Sequence, residues 1–225
     1  MLLMYVRRCR KQRLHYTNSA FKSALGPPPG RRPFGIDRGH MNPSAINSFN
    51  LDFMSATFTL TNSAPQFATS NQGPWQDFET RIRSYATTNC SGIHSGTLYL
   101  LTGTSEYGLR PNAAGTMVQD ISPYQIPLPF QIPNNAGPVP LVIPQALWTA
   151  GCCVWQEPGA VFGYWWPRAE AASFAVMTNN QDDPNRLYQT PMSVADLEVL
   201  LTAPNSPRVN LFPGYAACHW NTVII

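Results

Sequence analysis

Apolar residues along this chain fall into a few short periodic runs separated by polar or proline-rich stretches. Trp75, Phe78, Ile82 and Tyr85 recur at helical spacing and predict a helix from Asn71 to about Tyr85 that buries one stripe. Pro74 is tolerable only in the first turn of such a helix. Phe53 to Leu60 places apolar side chains at alternating positions and predicts a strand ahead of the helix, and another strand leads into Asp37. Leu98 to Leu101 is continuously apolar, which predicts a central strand. Ser193-Val194-Ala195-Asp196 has the form of a helix N-cap with an acid three residues on, opening a short packing helix through Leu201. Ile121 to Pro144 is crowded with prolines, and the expectation there is an irregular surface excursion.

Composition supports the same picture. With 22 Pro, 15 Gly and only 12% charged residues in 225, the chain reads as a loop-rich α+β domain and not a helical bundle. The length suits one domain with a substantial core, and no internal repeat is evident. We place a basic, disordered arm at 1–30, ending in Gly26-Pro27-Pro28-Pro29-Gly30, and a single domain at 31–225. Eight of the 15 Lys and Arg precede Asp37 and no acid does, so the +3 overall charge comes from the arm and the body is acidic. The body is therefore not a basic nucleic-acid clamp, and any grip on phosphate must be local. Arg7, Arg8, Arg10, Lys11 and Arg13 could attract phosphates or an anionic surface, but a solvated arm explains them as well.

Met1 to Val6 is a brief apolar stretch followed by the basic cluster, the reverse of a secretory signal's order, so no signal peptide is evident. Val139 to Trp155 is broken by Pro140 and Pro144 and is too short to span a bilayer, so a soluble chain is expected. Adjacent Cys152 and Cys153 on a strand would point to opposite faces and bond to different partners. Cys90 and Cys218 are the candidates, with Cys9 left over; reduced buried thiols are the alternative. No CxxC or His-x3-His spacing occurs, so zinc is not expected. His15, His94 and His219 lack a companion ligand pattern and read as surface or core residues. Trp148, Trp155, Trp165 and Trp166 read as core or loop anchors in preference to base-stacking platforms.

The chemistry concentrates in one span: Gly35-Ile36-Asp37-Arg38-Gly39-His40-Met41-Asn42, then Thr61-Asn62-Ser63-Ala64-Pro65-Gln66, then Ser70-Asn71-Gln72-Gly73-Pro74-Trp75. Phosphodiester hydrolysis needs a deprotonated water and positive charge on the phosphate and leaving oxygen. His40 titrates near neutral pH and suits the base. The amide oxygen of Asn71 is a neutral hard ligand suited to Mg²⁺, which keeps several of its waters. Glu79 and Arg83 lie one helical turn apart beside the buried stripe, where they could hold a metal-bound water and a phosphate oxygen, or form an ordinary i,i+4 ion pair.

These three motifs, in this order, resemble the DNA/RNA non-specific endonuclease family, whose active site is a ββα-metal (His-Me) finger on a mixed or antiparallel sheet. The resemblance implies His40 as general base and Asn71 as direct ligand of one Mg²⁺, with Mn²⁺ a possible substitute. It matches Arg38, Asn62, Glu79 and Arg83 to positions that support phosphate, water and metal shell. It implies DNA and RNA substrates held through phosphate, and 5′-phosphate products. Gly96–Thr104, Val142–Cys153 and Ser173–Asn179 look like the family's later strands, and the Cys pair after a Trp is similar to the animal subgroup of endonuclease domain-containing 1-like proteins. The resemblance also implies secretion. Oligomeric state is left open. The alternative is a catalytically inactive nuclease fold used for binding or scaffolding, because only about 36 residues, net positive in charge, precede the motif where family members carry further strands.

Overall fold

A computed structural model describes residues 36–120, 130–132, 139–141, 143–161 and 164–225. The basic arm assigned to 1–30 lies outside the described residues. The chain is α+β, as expected. Its centre is a four-stranded antiparallel sheet in the order β10-β9-β8-β3, built from β3 (Thr97–Ser105), β8 (Ala146–Val161), β9 (Tyr164–Asn179) and β10 (Gln189–Met192). A separate antiparallel pair, β1 (Ile36–His40) and β2 (Ser63–Phe67), carries the motif residues. Between them runs α1 (Leu51–Ala56), and after them α2 (Gln76–Tyr85). Two short pairs, β4 (Gly108–Pro111) with β5 (Met117–Asp120) and β6 (Phe130–Ile132) with β7 (Val139–Leu141), lie between β3 and β8 in sequence. The last helix is α3 (Val194–Leu201).

Both faces of the sheet are covered. Trp75, Phe78 and Ile82 from the α2 region pack with Leu147, Phe174 and Val176 on one face. Val194 and Leu197 of α3, with Phe212 and Cys218, pack with Ala146, Ala150, Cys152, Ala175 and Met177 on the other. Alternation along β8 and β9 feeds the two clusters in turn. Gly151 is required by this packing, because a Cβ there would lie 2.2 Å from the Phe174 ring. Cys152 and Cys153 behave as adjacent strand residues should: Cys153 bonds to Cys90, beyond α2, and Cys152 bonds to Cys218 in the C-terminal segment. One staple therefore holds each covering layer to the middle of β8.

Three expectations need correction. Phe53 to Leu60 is not a strand: the chain forms α1 there and then a 3₁₀ turn at Leu60–Asn62. Asn50 caps α1, its Oδ1 accepting from the N–H groups of Asp52 and Phe53 at 2.8 and 3.2 Å. The segment has no partner strand, so this local capping decides its conformation, and the second finger strand is Ser63–Phe67 instead. Leu98 to Leu101 lies in β3, at an edge of the sheet and not at its centre. Its apolar run reflects contacts on both faces, with Leu98 and Leu100 on one cluster and Leu101 on the other, while Tyr99 stays exposed. Within the proline-rich excursion, the described pieces pair as β6 and β7, and the remainder lies outside the described residues. The late helix matches its reading: Ser193 Oγ accepts from Asp196 N–H at 3.0 Å.

The crosslinks close segments of 63 and 66 residues. Replacing either cysteine pair by alanine should lower unfolding free energy by about 2–5 kcal/mol in denaturant titration. Peptide mapping of the unreduced protein should recover Cys90 with Cys153 and Cys152 with Cys218. A crossed pairing would overturn this account of β8.

Candidate active site

His40 ends β1, opposite Ser63 of β2. Strand alternation sets Arg38 and His40 on one face of β1 and Asp37 and Gly39 on the other. Arg38 is exposed and His40 half-buried. Burial first, and then the Arg38 charge, hold the His40 imidazole below its ordinary value of 6.5. The ring is therefore neutral at physiological pH, the form that accepts a proton. Its edge meets Phe58, with centroids 5.0 Å apart and planes at 90°.

The opposite face of the hairpin explains Gly39. Gln66 is fully buried there, and a Cβ on Gly39 would fall 2.0 Å from its Oε1. On the same face Asp37 accepts hydrogen bonds from Asn71 Nδ2 at 2.9 Å and Gln72 Nε2 at 2.8 Å. Because the Asn71 nitrogen faces Asp37, its carbonyl oxygen is turned away from that carboxylate. That oriented amide oxygen fits an ion that takes few protein ligands and keeps its waters. Asn71 was expected at the start of the helix, but the chain is already helical at Ala68–Ser70. Asn71–Trp75 is a wider turn, Gly73 leaves helical geometry at φ −115°, ψ −115°, and regular α-helix begins at Gln76. Pro74, which has no N–H for the ladder, sits inside that wider turn.

Asn62 ties the site's loop together. Its Oδ1 accepts from Asn42 N–H at 2.8 Å, and its Nδ2 donates to Asn42 O at 2.8 Å and Thr57 O at 2.9 Å. Met41 N–H donates to the Asn62 carbonyl at 2.9 Å, so the backbone just after His40 is clamped. Asn62 and Glu79 line one cleft of about 300 Å³, together with Met41, Asn42, Trp75 and Thr102. Burial raises the Glu79 carboxyl to about 7. The Trp75 indole N–H opposes that shift, but it is buried outside full hydrogen-bond geometry and offsets it only in part. Arg83, one turn on, is exposed and makes no ion pair with Glu79. Of the six candidates, then, Asn62 and Glu79 share the cleft, Asn71 is fixed through Asp37, Arg38 and His40 share a strand face, and Arg83 stands apart in solvent.

Four supporting residues were not singled out as site residues from sequence. Asp37 and Gln66 stood inside the motifs, but only the strand register reveals that they face the same side. Asn180 and Ser70 act over long sequence distances: Asn180 Oδ1 accepts from Phe67 N–H at 2.8 Å, its Nδ2 donates to Pro65 O and Pro144 O, and Ser70 Oγ donates to Asn179 O. No local signal marks such contacts. His94 stacks on Trp155 with centroids 4.0 Å apart, His219 Nδ1 lies 3.2 Å from Glu198, and Trp148 donates to Thr104 O. His15 and the side chains of Trp165 and Trp166 lie outside the described residues. Among the described residues no group of three or more His, Cys, Asp and Glu could hold a metal ion.

A short antiparallel pair carrying His40, followed by a helical segment carrying the oriented Asn71 amide, has the layout of a ββα finger. The family model of the DNA/RNA non-specific endonucleases matches residues 7–202, and the chain belongs to that family. No curated protein matches the chain. Membership supports a nucleic-acid-cleaving hydrolase.

Two outcomes follow from this geometry. Asn180→Ala removes hydrogen-bond donors from two buried carbonyls and should cost on the order of 3 kcal/mol in denaturant unfolding. A change below about 0.5 kcal/mol would show that β2 is not docked through Asn180. For Glu79, a folded-state value near 7 against 4.5 unfolded means that the folded protein binds the extra proton. That stabilisation is full below about pH 4.5 and is lost as pH rises through 7. Metal-free Glu79→Gln should therefore lack a pH-dependent loss of up to about 3 kcal/mol seen in the parent between those values. Identical pH–stability slopes for the two proteins would refute the buried carboxyl.

Proposed function

We propose that the protein is a divalent-metal-dependent, sequence-tolerant endonuclease that hydrolyses phosphodiester bonds in DNA and RNA. The observation that carries this reading is the pairing of a half-buried, neutral His40 on β1 with an Asn71 amide oriented by Asp37. His40 takes the proton of the attacking water, and the clamp of Asn62 on Asn42 holds the end of β1 still while it does so. Asn71 Oδ1 would hold Mg²⁺, or Mn²⁺ as its expected substitute, an ion that would supply positive charge against the negative charge that builds up during phosphodiester hydrolysis. Glu79 orients water in the cleft, and Arg38 and Arg83 receive phosphate oxygens from solvent-exposed positions. Products carry 5′-phosphates. Contacts of this kind go to phosphate and carry no base information, so sequence preference is low.

The two disulfides are compatible with an extracellular protein, and we extend the reading to an oxidising compartment. Among the described residues no helix is long and apolar enough to cross a membrane.

The test incubates the purified protein with supercoiled plasmid and with single-stranded RNA, in Mg²⁺ or excess EDTA, beside His40→Ala and Asn71→Ala. Mg²⁺-dependent degradation of both substrates is expected, with each substitution lowering the rate at least about 10²-fold. Because burial and Arg38 depress His40, the acid limb of the kcat/KM profile should fall below pH 6.5. No cleavage by protein shown to be folded would overturn the catalytic reading and bring forward a binding role for the same fold.

A further inference from the structure

The segment that replaces the expected second strand leaves an unexplained surface. The helix α1 buries none of its residues, yet the segment around it presents Phe49, Leu51, Phe53 and Phe58 at 76%, 73%, 58% and 62% exposure. Phe49 and Phe53 form a tilted ring pair 5.6 Å apart, and Phe58 lies edge-on to His40. The helix is not loosely attached. Asn50 caps its start, Thr57 Oγ1 donates to Met54 O near its end, and Asn62 Nδ2 donates to Thr57 O, joining it to the clamp behind His40. Phe58 thus touches the candidate base, and Phe49 and Phe53 belong to the same capped segment.

We propose that Phe49, Phe53 and Phe58 form a stacking platform for unpaired nucleobases, making single-stranded nucleic acid the preferred substrate of this site. The inference rests on the nuclease reading above. Every base offers a π face, so such a platform binds without sequence preference, but paired bases in a duplex keep those faces covered. Charge assigns the strand's orientation. From Met41 to Asn62 the one ionisable side chain is Asp52, which repels phosphate, whereas exposed Arg38 shares the face of β1 that carries His40. The backbone therefore runs over Arg38 and His40 with its bases turned toward α1. Phe58, which touches His40, contacts the base nearest the scissile phosphate, and Phe49 and Phe53 contact bases further along.

The experiment measures binding of labelled oligothymidylate, an abasic strand of the same length and a duplex by fluorescence anisotropy in EDTA, and then cleavage of each in Mg²⁺. The parent is compared with Phe49→Ala/Phe53→Ala and with Phe49→Tyr/Phe53→Tyr. Both positions altered in these variants carry exposed rings outside the core, and circular dichroism checks that the fold is retained. The alanine variant should bind oligothymidylate about tenfold more weakly or worse, with KM raised to match, while the tyrosine variant restores affinity. Abasic-strand and duplex affinities should differ little between the proteins. Base-dependent binding without any cleavage would keep the platform and remove the nuclease reading. Cleavage with equal affinity for thymidylate and abasic strands, or equal losses on all three ligands, would overturn the platform alone. Dimerisation in sedimentation that the alanine variant abolishes, with thymidylate binding unaffected, would assign the surface to a second copy of the chain and likewise overturn it.

Discussion

The site depends on one buried polar junction at the end of β9. Asn179 and Asn180 are each about 1% exposed, and their amides bond only to other parts of the chain. Asn179 accepts from Leu109 N–H and donates to Leu109 O and Arg186 O, while Asn180 bonds to Phe67, Pro65 and Pro144. β1 and β2 form a two-stranded unit of their own, which is marginal in water unless it packs on something larger. Asn180 fixes β2 to the sheet, Ser70 fixes the following turn to Asn179 O, and Asn71 then closes back on Asp37 of β1. His40 and Asn71, the proposed base and metal ligand, are held in register through this circuit.

The cysteine pair completes the mechanical frame. Cys153 draws the far end of the helical region onto β8, and Cys152 draws the C-terminal segment onto the other face. The C-terminal segment gains a second anchor where Asn221 O and Val223 N–H bond to Ser173 N–H and O at 2.7 Å each. A sheet anchored on both faces tolerates a loop-rich periphery, because the layers cannot slide while surface segments vary.

The elements that were legible in the sequence are those whose signal is local. The stripe of Trp75, Phe78 and Ile82, the Ser193 cap and the opposed cysteines each follow from a few neighbouring residues and stand in the structure as read. What was misread depended on partners elsewhere. Phe53 to Leu60 alternated like a strand, but β1 spends its pairing on Ser63–Phe67, and an unpaired apolar alternation defers to its Asn50 cap. Leu98 to Leu101 looked central because both faces make apolar contacts, which hydropathy reports, whereas the number of hydrogen-bonded neighbours is invisible to it. The motif residues stand out in the sequence, but the residues that position them, Asp37, Gln66 and Asn180, become visible only with register and tertiary contact.

Electrostatics links these parts. The body is acidic, so the proposed site for polyanions must limit negative charge where a phosphate would lie. Two carboxylates of the finger region are restrained by different means. Two amide donors engage Asp37, which disperses its charge into hydrogen bonds, and burial keeps Glu79 partly protonated near pH 7. Any cation brought to the cleft favours the ionised form of Glu79, so that cation binding and proton release are coupled there. The cleft thus holds its negative charge in reserve, presenting little to an approaching phosphate and more to a bound cation. With Arg38 and Arg83 exposed, the local balance favours phosphate even though the body as a whole does not.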